Sequence, residues 1–284
     1  MKYTNKIPEY TIDLELPEDE RWLDVIKKEK KIAKKLLGKA IKDIDEIASP
    51  LLRKLISPIF KNIYHFGGGM FSDEMNSWAK GTGMSMSELV LANCTYELSH
   101  VQEGINIFGC TAGVRFIPGM GMVHVRNMDW PIDEIGKATR VFRFKEGERE
   151  FISVGLPGKV SVISGMLPGA YSVTINWAPT KMNPRFDYGP SFLLREIFET
   201  CDTYDEAVSY LCGTDLSSSV FFTVCGTKKG EGCVIERIMN SYNVREWSGG
   251  VLTQANHFEG KFKSNNKSII NSCCLIVQSK IRDI

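Results

Sequence analysis

No run of this sequence approaches the roughly 18 to 20 consecutive apolar residues that carry a helix across a bilayer. There is no basic excess either: 35 Lys and Arg stand against 34 Asp and Glu, for a net charge of +1. Nucleic-acid binding needs a basic face that displaces counterions, so nucleic acid is not an expected partner. The start, MKYTNKIPEYTIDLELPEDERW, has Lys2 and Lys6 with no apolar run behind them and is not a secretory signal peptide. A cytoplasmic setting follows as the expectation. The eight cysteines (94, 110, 201, 212, 225, 233, 273 and 274) form no CxxC pair and no zinc-like spacing with histidine. Free, mostly buried thiols are therefore expected, and no metal. Repeats and low-complexity segments are absent, and collagen, coiled coil and disordered tail are excluded. What remains is 284 residues, 43% hydrophobic and 24% charged, enough for a sizeable core in one large or two small domains.

Two textures meet near residue 109. Residues 17 to about 100 read as helices. Pro17 with Glu18, Asp19 and Glu20 suits a helix start, and Trp22, Val25, Ile26, Ile32, Leu36 and Leu37 recur at helical spacing. The opposite face carries Lys27, Lys28, Lys30, Lys31, Lys34 and Lys35. A solvated helix face is the ordinary meaning of such a run; the alternative is contact with an anionic membrane surface. Further helices are expected at about 41–63 and 73–80, the second after Gly67-Gly68-Gly69, and Ser85 with Glu88 forms a capping box before an apolar stretch. From Cys110 onward, short β-branched or alternating runs predict strands at 110–117, 121–128, 139–145, 150–155, 160–166, 170–177, 219–226, 232–238, 242–247 and 250–255, with helices at 190–200 and 204–212. Strands segregated from helices argue for a layered α+β body.

The stretch FGCTAGVRFIPGMGMVHVRNMDWP, residues 108–131, reads as strand, glycine turn, strand. Such a hairpin returns Arg126 and Asp129 toward Cys110. A free thiol has a pKa of about 8.5, and a cationic neighbour favours the nucleophilic thiolate. Asp129 is the expected holder of that arginine or of an amine.

These residues resemble the acid ceramidase and N-acylethanolamine-hydrolysing acid amidase family, N-terminal-nucleophile hydrolases related to choloylglycine hydrolases. The resemblance runs through IPEYTIDLELPEDERW, DEMNSWAKGTGMSMSELVLANCTYELS, CTAGV, RNMDW, PGAYSVTIN, GEGCVIER and TQANHF. It implies a four-layer αββα sandwich and an inactive precursor that cuts its own backbone before Cys110. That gives a helical fragment, 1–109, and a catalytic fragment, 110–284, which stay associated without a covalent link. Cys110 is then the nucleophile and its freed amine the general base. By the same resemblance Arg126 and Asp129 position the nucleophile, Asn256 helps form the oxyanion hole, and Lys267 stands where the family has an arginine. The implied substrate is a lipid amide, ceramide or an N-acylethanolamine, with Phe60, Tyr64, Met70, Trp130 and Trp177 as the apolar contacts; no metal or organic cofactor is implied. An acidic compartment such as the lysosome is the family setting. The part after Asn256 is shorter than the family pattern, so either a shortened variant or an incomplete chain is expected.

Other meanings stay open at this point. A papain-like Cys-His-Asn site would use His124 or His257. A relative acting on polar amides, of bile-salt or penicillin type, shares the same nucleophile. A catalytically lapsed lipid-binding relative fits Asn176-Trp177-Ala178, where acid ceramidases have Asn-Glu-Arg. Cys225 and Cys233 sit on a predicted hairpin and read as core thiols.

Overall fold

The structure, a computed structural model, describes residues 6–47, 71–98, 109–130, 135–178, 180 and 187–262. The part beyond residue 47 of the helix expected at about 41–63, the triple glycine, the contacts Phe60, Tyr64 and Met70, and Lys267, Cys273 and Cys274 lie outside the described residues. In chain order the first elements are β1 (Glu9–Asp13), α1 (Leu23–Ile47), α2 (Ser72–Thr82), α3 (Met86–Asn93), α4 (Thr95–Leu98), β2 (Gly109–Ile117), β3 (Gly121–Asp129) and α5 (Ile135–Ala138). There follow β4 (Arg140–Glu146), β5 (Arg149–Gly155), β6 (Ser164–Leu167), β7 (Tyr171–Trp177), α6 (Pro190–Thr200), α7 (Tyr204–Gly213), β8 (Val220–Gly226), β9 (Gly232–Ile238), β10 (Ser241–Glu246) and β11 (Val251–Gln254). Two compact units divide the chain: Met1–Thr95 with Ile132–Val162, and Tyr96–Pro131 with Ile163–Ile284.

In the first unit α1 packs on α2 and α3, and β1 pairs in parallel with β4, which pairs antiparallel with β5. The helix begins at Leu23, not at Pro17, because residues 17–22 form turns in which Glu20 N–H donates to the Pro17 carbonyl. Fully buried Trp22 meets Trp78, Phe142 and Phe144 at ring-centroid distances of 5.8, 5.3 and 5.7 Å. Its indole N–H donates to Glu74 Oε2 at 2.5 Å, so the ring's polar edge is satisfied inside the core. Buried Glu29 accepts from Arg140 Nε at 2.8 Å and Nη2 at 2.9 Å, and from the Tyr10 hydroxyl at 2.5 Å. Burial opposes its charge, yet the hydrogen bonds from Arg140 and Tyr10 hold its carboxyl below the ordinary range. The capping box forms as expected: Ser85 Oγ accepts from Glu88 N–H, and the Glu88 carboxylate accepts from Ser85 N–H.

In the second unit β6, β7, β8, β9 and β10 pair in that order, all antiparallel, and β11, β2 and β3 form a second antiparallel sheet. Strand β2 lies across β7, β8 and β9, so the two sheets stack, while α6 and α7 cover the other face of the larger one. That covered face is apolar except for Arg237. Tyr171 stacks on Phe198 and donates to the Ile197 carbonyl at 2.9 Å, and buried Arg237 caps the C-terminal turn of α7 through the Cys212 carbonyl at 2.8 Å and the Thr214 carbonyl at 2.6 Å. The face toward β2 is unusually polar: Ser172, Thr174 and Asn176 of β7 alternate along it, with Thr223 of β8 and Glu236 of β9 across the register. The turn between β2 and β3 uses Gly119 at φ 82° and Gly121 at φ 88°, which a side chain rarely adopts.

Candidate active site

Cys110 is the second residue of β2 and is 2% exposed. Pairing of β2 with β3 sets Cys110 opposite Met128 and Ala112 opposite Arg126, so Cys110 and Arg126 share the pleat face turned toward β7. Arg126 Nη2 points at Cys110 Sγ at 3.6 Å and donates to the Ile175 carbonyl at 2.9 Å. Its Nη1 donates to Ser164 Oγ at 2.5 Å. A guanidinium fixed by two oxygens beside a sulfur is placed to stabilise negative charge as the sulfur attacks.

From the other side comes Asn256, buried two residues after β11. Its Oδ1 accepts the Cys110 backbone N–H at 2.7 Å, and its Nδ2 donates to the Trp177 carbonyl at 2.7 Å. The amide that the resemblance assigned to an oxyanion is thus engaged by Trp177, and the contact made to Cys110 runs through the carboxamide oxygen instead.

Asp129 is not where the hairpin argument put it. It lies opposite Gly109 on the exposed pleat face, because an offset of three from Arg126 inverts the side-chain direction. Among the described residues no hydrogen bond joins it to Arg126 or Cys110; Ser164 and the Ile175 carbonyl hold the guanidinium. Trp130 follows β3 and is half-buried. Trp177 is a buried residue at the end of β7, where its carbonyl anchors Asn256.

Neither histidine serves as a base for Cys110 here. Both nitrogens of His124 are engaged, Nδ1 with Ser172 Oγ at 2.9 Å and Nε2 with Thr174 Oγ1 at 3.1 Å. Burial of the ring, with Arg126 adding its charge, lowers the imidazole to about 4. His257 Nε2 lies 3.3 Å from Glu259 Oε1. Cys225 and Cys233 are free and buried, each pushed up to about 12 first by burial, which leaves them inert core thiols. Among the described residues no group of three His, Cys, Asp or Glu is arranged to hold a metal ion.

Sequence reasoning did not select Ser164, Ser172, Thr174 or Asn176. Asn176 is fully buried; its Nδ2 donates to the Gln254 and Ala255 carbonyls at 2.9 and 3.3 Å, while its Oδ1 has no hydrogen-bond partner among the described residues. Polar residues at alternate positions of an otherwise β-branched strand were the available signal, since that pattern makes one face polar.

The family model for acyl-coenzyme A:6-aminopenicillanic acid acyl-transferase matches residues 119–274, more than half of the chain. The chain belongs to that family. The match begins in the turn after the Cys110 strand. Among curated relatives, the acid ceramidase of Homo sapiens is 25% identical over 265 residues, covering 83% of this chain and 64% of that protein. The N-acylethanolamine-hydrolyzing acid amidase of Caenorhabditis elegans is 27% identical over 241 residues, covering 80% of this chain and 66% of that protein. The chain therefore spans slightly less than two thirds of these relatives. A solved structure of a Caenorhabditis elegans N-acylethanolamine-hydrolyzing acid amidase ortholog aligns with a TM-score of 0.50 at 26% identity, over 55% of this chain and 74% of that one. The group read from the motifs is the group these comparisons return, and the described strands and helices belong to the αββα N-terminal-nucleophile class.

Proposed function

We propose that the protein is an amide hydrolase of the N-terminal-nucleophile type acting on a long-chain N-acyl amide, activated by scission of its own Gly109–Cys110 bond. In the activating step Cys110 Sγ attacks the Gly109 carbonyl carbon. The C–N bond breaks as the thiol proton passes to the nitrogen, leaving a thioester. Water then hydrolyses the thioester, releasing the Gly109 carboxylate and regenerating the thiol. The Cys110 nitrogen, now an α-amine, takes the thiol proton in turnover and returns it to the leaving amine. The observation that carries this reading is the convergence of Arg126 on Sγ and Asn256 on the nitrogen of the same residue. Asn256 Oδ1 accepts equally well from an amide N–H before scission and an amine N–H after it. Arg126 supplies charge to the sulfur in both steps, and family membership supplies the independent support.

The lipid class rests on the relatives named acid ceramidase and acid amidase. The family model's own description favours a second reading, a polar amide of penicillin type. For a lipid substrate, the lysine face of α1 gives a route to the bilayer: Lys27, Lys28, Lys30, Lys31, Lys34 and Lys35 are all exposed, whereas Glu29 on the same helix is buried and paired. Each such lysine near an anionic surface adds about 1 kcal/mol. Intact mass and denaturing gel mobility after incubation at neutral and acidic pH test the scission. Fragments ending at Gly109 and starting at Cys110, absent when Cys110 is replaced by Ala, are expected; an uncut wild-type chain at both pH values refutes it. Turnover of N-palmitoylethanolamine and ceramide against bile-salt and penicillin amides decides the substrate class.

A further inference from the structure

Asn256 lies two residues beyond the paired part of β11, whose Gln254 stands opposite Ala112 of β2, so the place of its carboxamide at Cys110 depends on what holds the segment after the strand. The segment Thr253–Gly260 is tied on both flanks of Asn256 to one buried carboxylate, Glu236 of β9, which is 0% exposed. On the far flank, Glu236 Oε1 accepts from Glu259 N–H at 2.8 Å and Gly260 N–H at 2.9 Å, and Oε2 accepts from Gly260 N–H at 3.1 Å. A Cβ on residue 260 would run into Asn243 Nδ2 and Glu236 Oε2, so the close approach depends on glycine. On the near flank the tie runs through Arg245 of β10. Its Nε donates to Glu236 Oε1 at 3.1 Å, and its Nη2 donates to the Thr253 carbonyl at 3.2 Å and to Gln254 Oε1. Gln254, itself fully buried, turns its Nε2 to the His257 carbonyl at 2.7 Å and so bridges across Asn256. Phe258, fully buried, packs on Phe221 with centroids 4.7 Å apart, which gives the loop an apolar root beside the polar one.

From this arrangement we infer that Glu236 and Arg245 are positioning residues: together they hold the Asn256 carboxamide at the Cys110 nitrogen. The inference rests on reading Cys110 and Asn256 as the reacting site. Among the described residues no hydrogen bond or ion pair joins either one to Cys110, so their effect passes through Asn256. An ion pair on a buried carboxylate contributes little net stability but defines geometry when the carboxylate's acceptors are all used, as the Glu236 oxygens are here.

The test uses the full chain in two arms. In the first, backbone amide exchange is followed by NMR in the uncut Cys110→Ala chain, which keeps the residue-110 N–H. Adding Glu236→Gln is expected to raise exchange at residue 110 by about tenfold or more, the size expected when a net hydrogen bond of roughly 1.4 kcal/mol is lost, while Val114 on the same strand is unchanged. Equal changes at both amides, or none at 110, overturn the proposal whatever the enzyme's activity. In the second arm, kcat and KM for N-palmitoylethanolamine are measured for Glu236→Gln and Arg245→Met. Expected is a fall in kcat of about tenfold at constant KM, with no further fall when Glu236→Gln is added to Asn256→Ala. A further fall of the same size in that background marks a general structural role and refutes the coupling. If wild type itself neither cuts nor turns over, the functional reading fails and the exchange arm still decides the positioning claim. Should Glu236→Gln not fold, Gly260→Ala perturbs the same contact from the backbone side and is read in the same way.

Discussion

Replacing His124 with Gln removes an imidazole enclosed between β3 and β7 while leaving an amide able to reach both Ser172 and Thr174. In the fold the ring is held neutral, at about 4, because burial penalises its cation and Arg126 lies on the same strand face. In the unfolded chain a histidine titrates at about 6.5. As pH falls through 6.5 the unfolded chain takes up the proton first, so stability is fully present above that value and is lost progressively down to about 4. Two and a half units correspond to about 3 kcal/mol in full, of which about 2 kcal/mol is expressed between pH 7.5 and pH 5. Urea unfolding of wild type and His124→Gln at those two pH values isolates the term, since every other titrating group is common to both proteins. Wild type is expected to lose about 2 kcal/mol more than the variant on acidification. An equal loss in the two proteins would show that the ring is not held neutral and would refute the reasoning.

Arg126→Lys keeps the charge but not the fork that reaches Cys110, Ser164 and Ile175 together, and turnover is expected to fall on the order of a hundredfold; steady-state kinetics on the processed protein check it, and an unchanged rate would show the fork to be dispensable. Tyr96 places its hydroxyl within reach of two buried carbonyls, Asn176 at 3.2 Å and Ser219 at 3.1 Å. Tyr96→Phe leaves them without that donor and should destabilise by about 1 to 3 kcal/mol in chemical denaturation. Reversing Lys30, Lys31 and Lys34 to Glu should abolish co-sedimentation with phosphatidylserine-containing vesicles while leaving thermal stability unchanged; wild-type binding equal on neutral vesicles would dismiss the electrostatic contact.

Much of the strand order of the second unit was legible because alternation and turn residues coincide. The strands expected at 110–117 and 121–128 are found at Gly109–Ile117 and Gly121–Asp129, with Gly119 and Gly121 supplying the left-handed turn. The strand expected at 160–166 shrinks to Ser164–Leu167: Leu156, Val160 and Val162 are buried from a turn, and burial alone imitates a strand's pattern. Strand β1 was missed because it pairs in parallel with β4, more than a hundred residues away, and its outward residues are charged or polar. At the site, Cys110 and Arg126 were legible from the return of the hairpin, whereas the two-residue period of a strand turns Asp129 to the other face. Asn256 needed the resemblance to be found at all. Glu236 and Arg245 carry no local signal, since what they hold is a loop that only the register of β9 against β10 brings near.

The partner that Cys110 finds for its backbone N–H lies 146 residues downstream. Order of synthesis then matters. A ribosome adding about 5 to 20 residues per second needs roughly 7 to 30 s to pass from the cysteine to the asparagine. Through that interval β2 has β3 at hand, but not the side chain that receives the nitrogen of its second residue. The contact exists only once β11 and the loop behind it have left the ribosome and folded, so any chemistry that depends on it is timed by the completion of translation past Asn256.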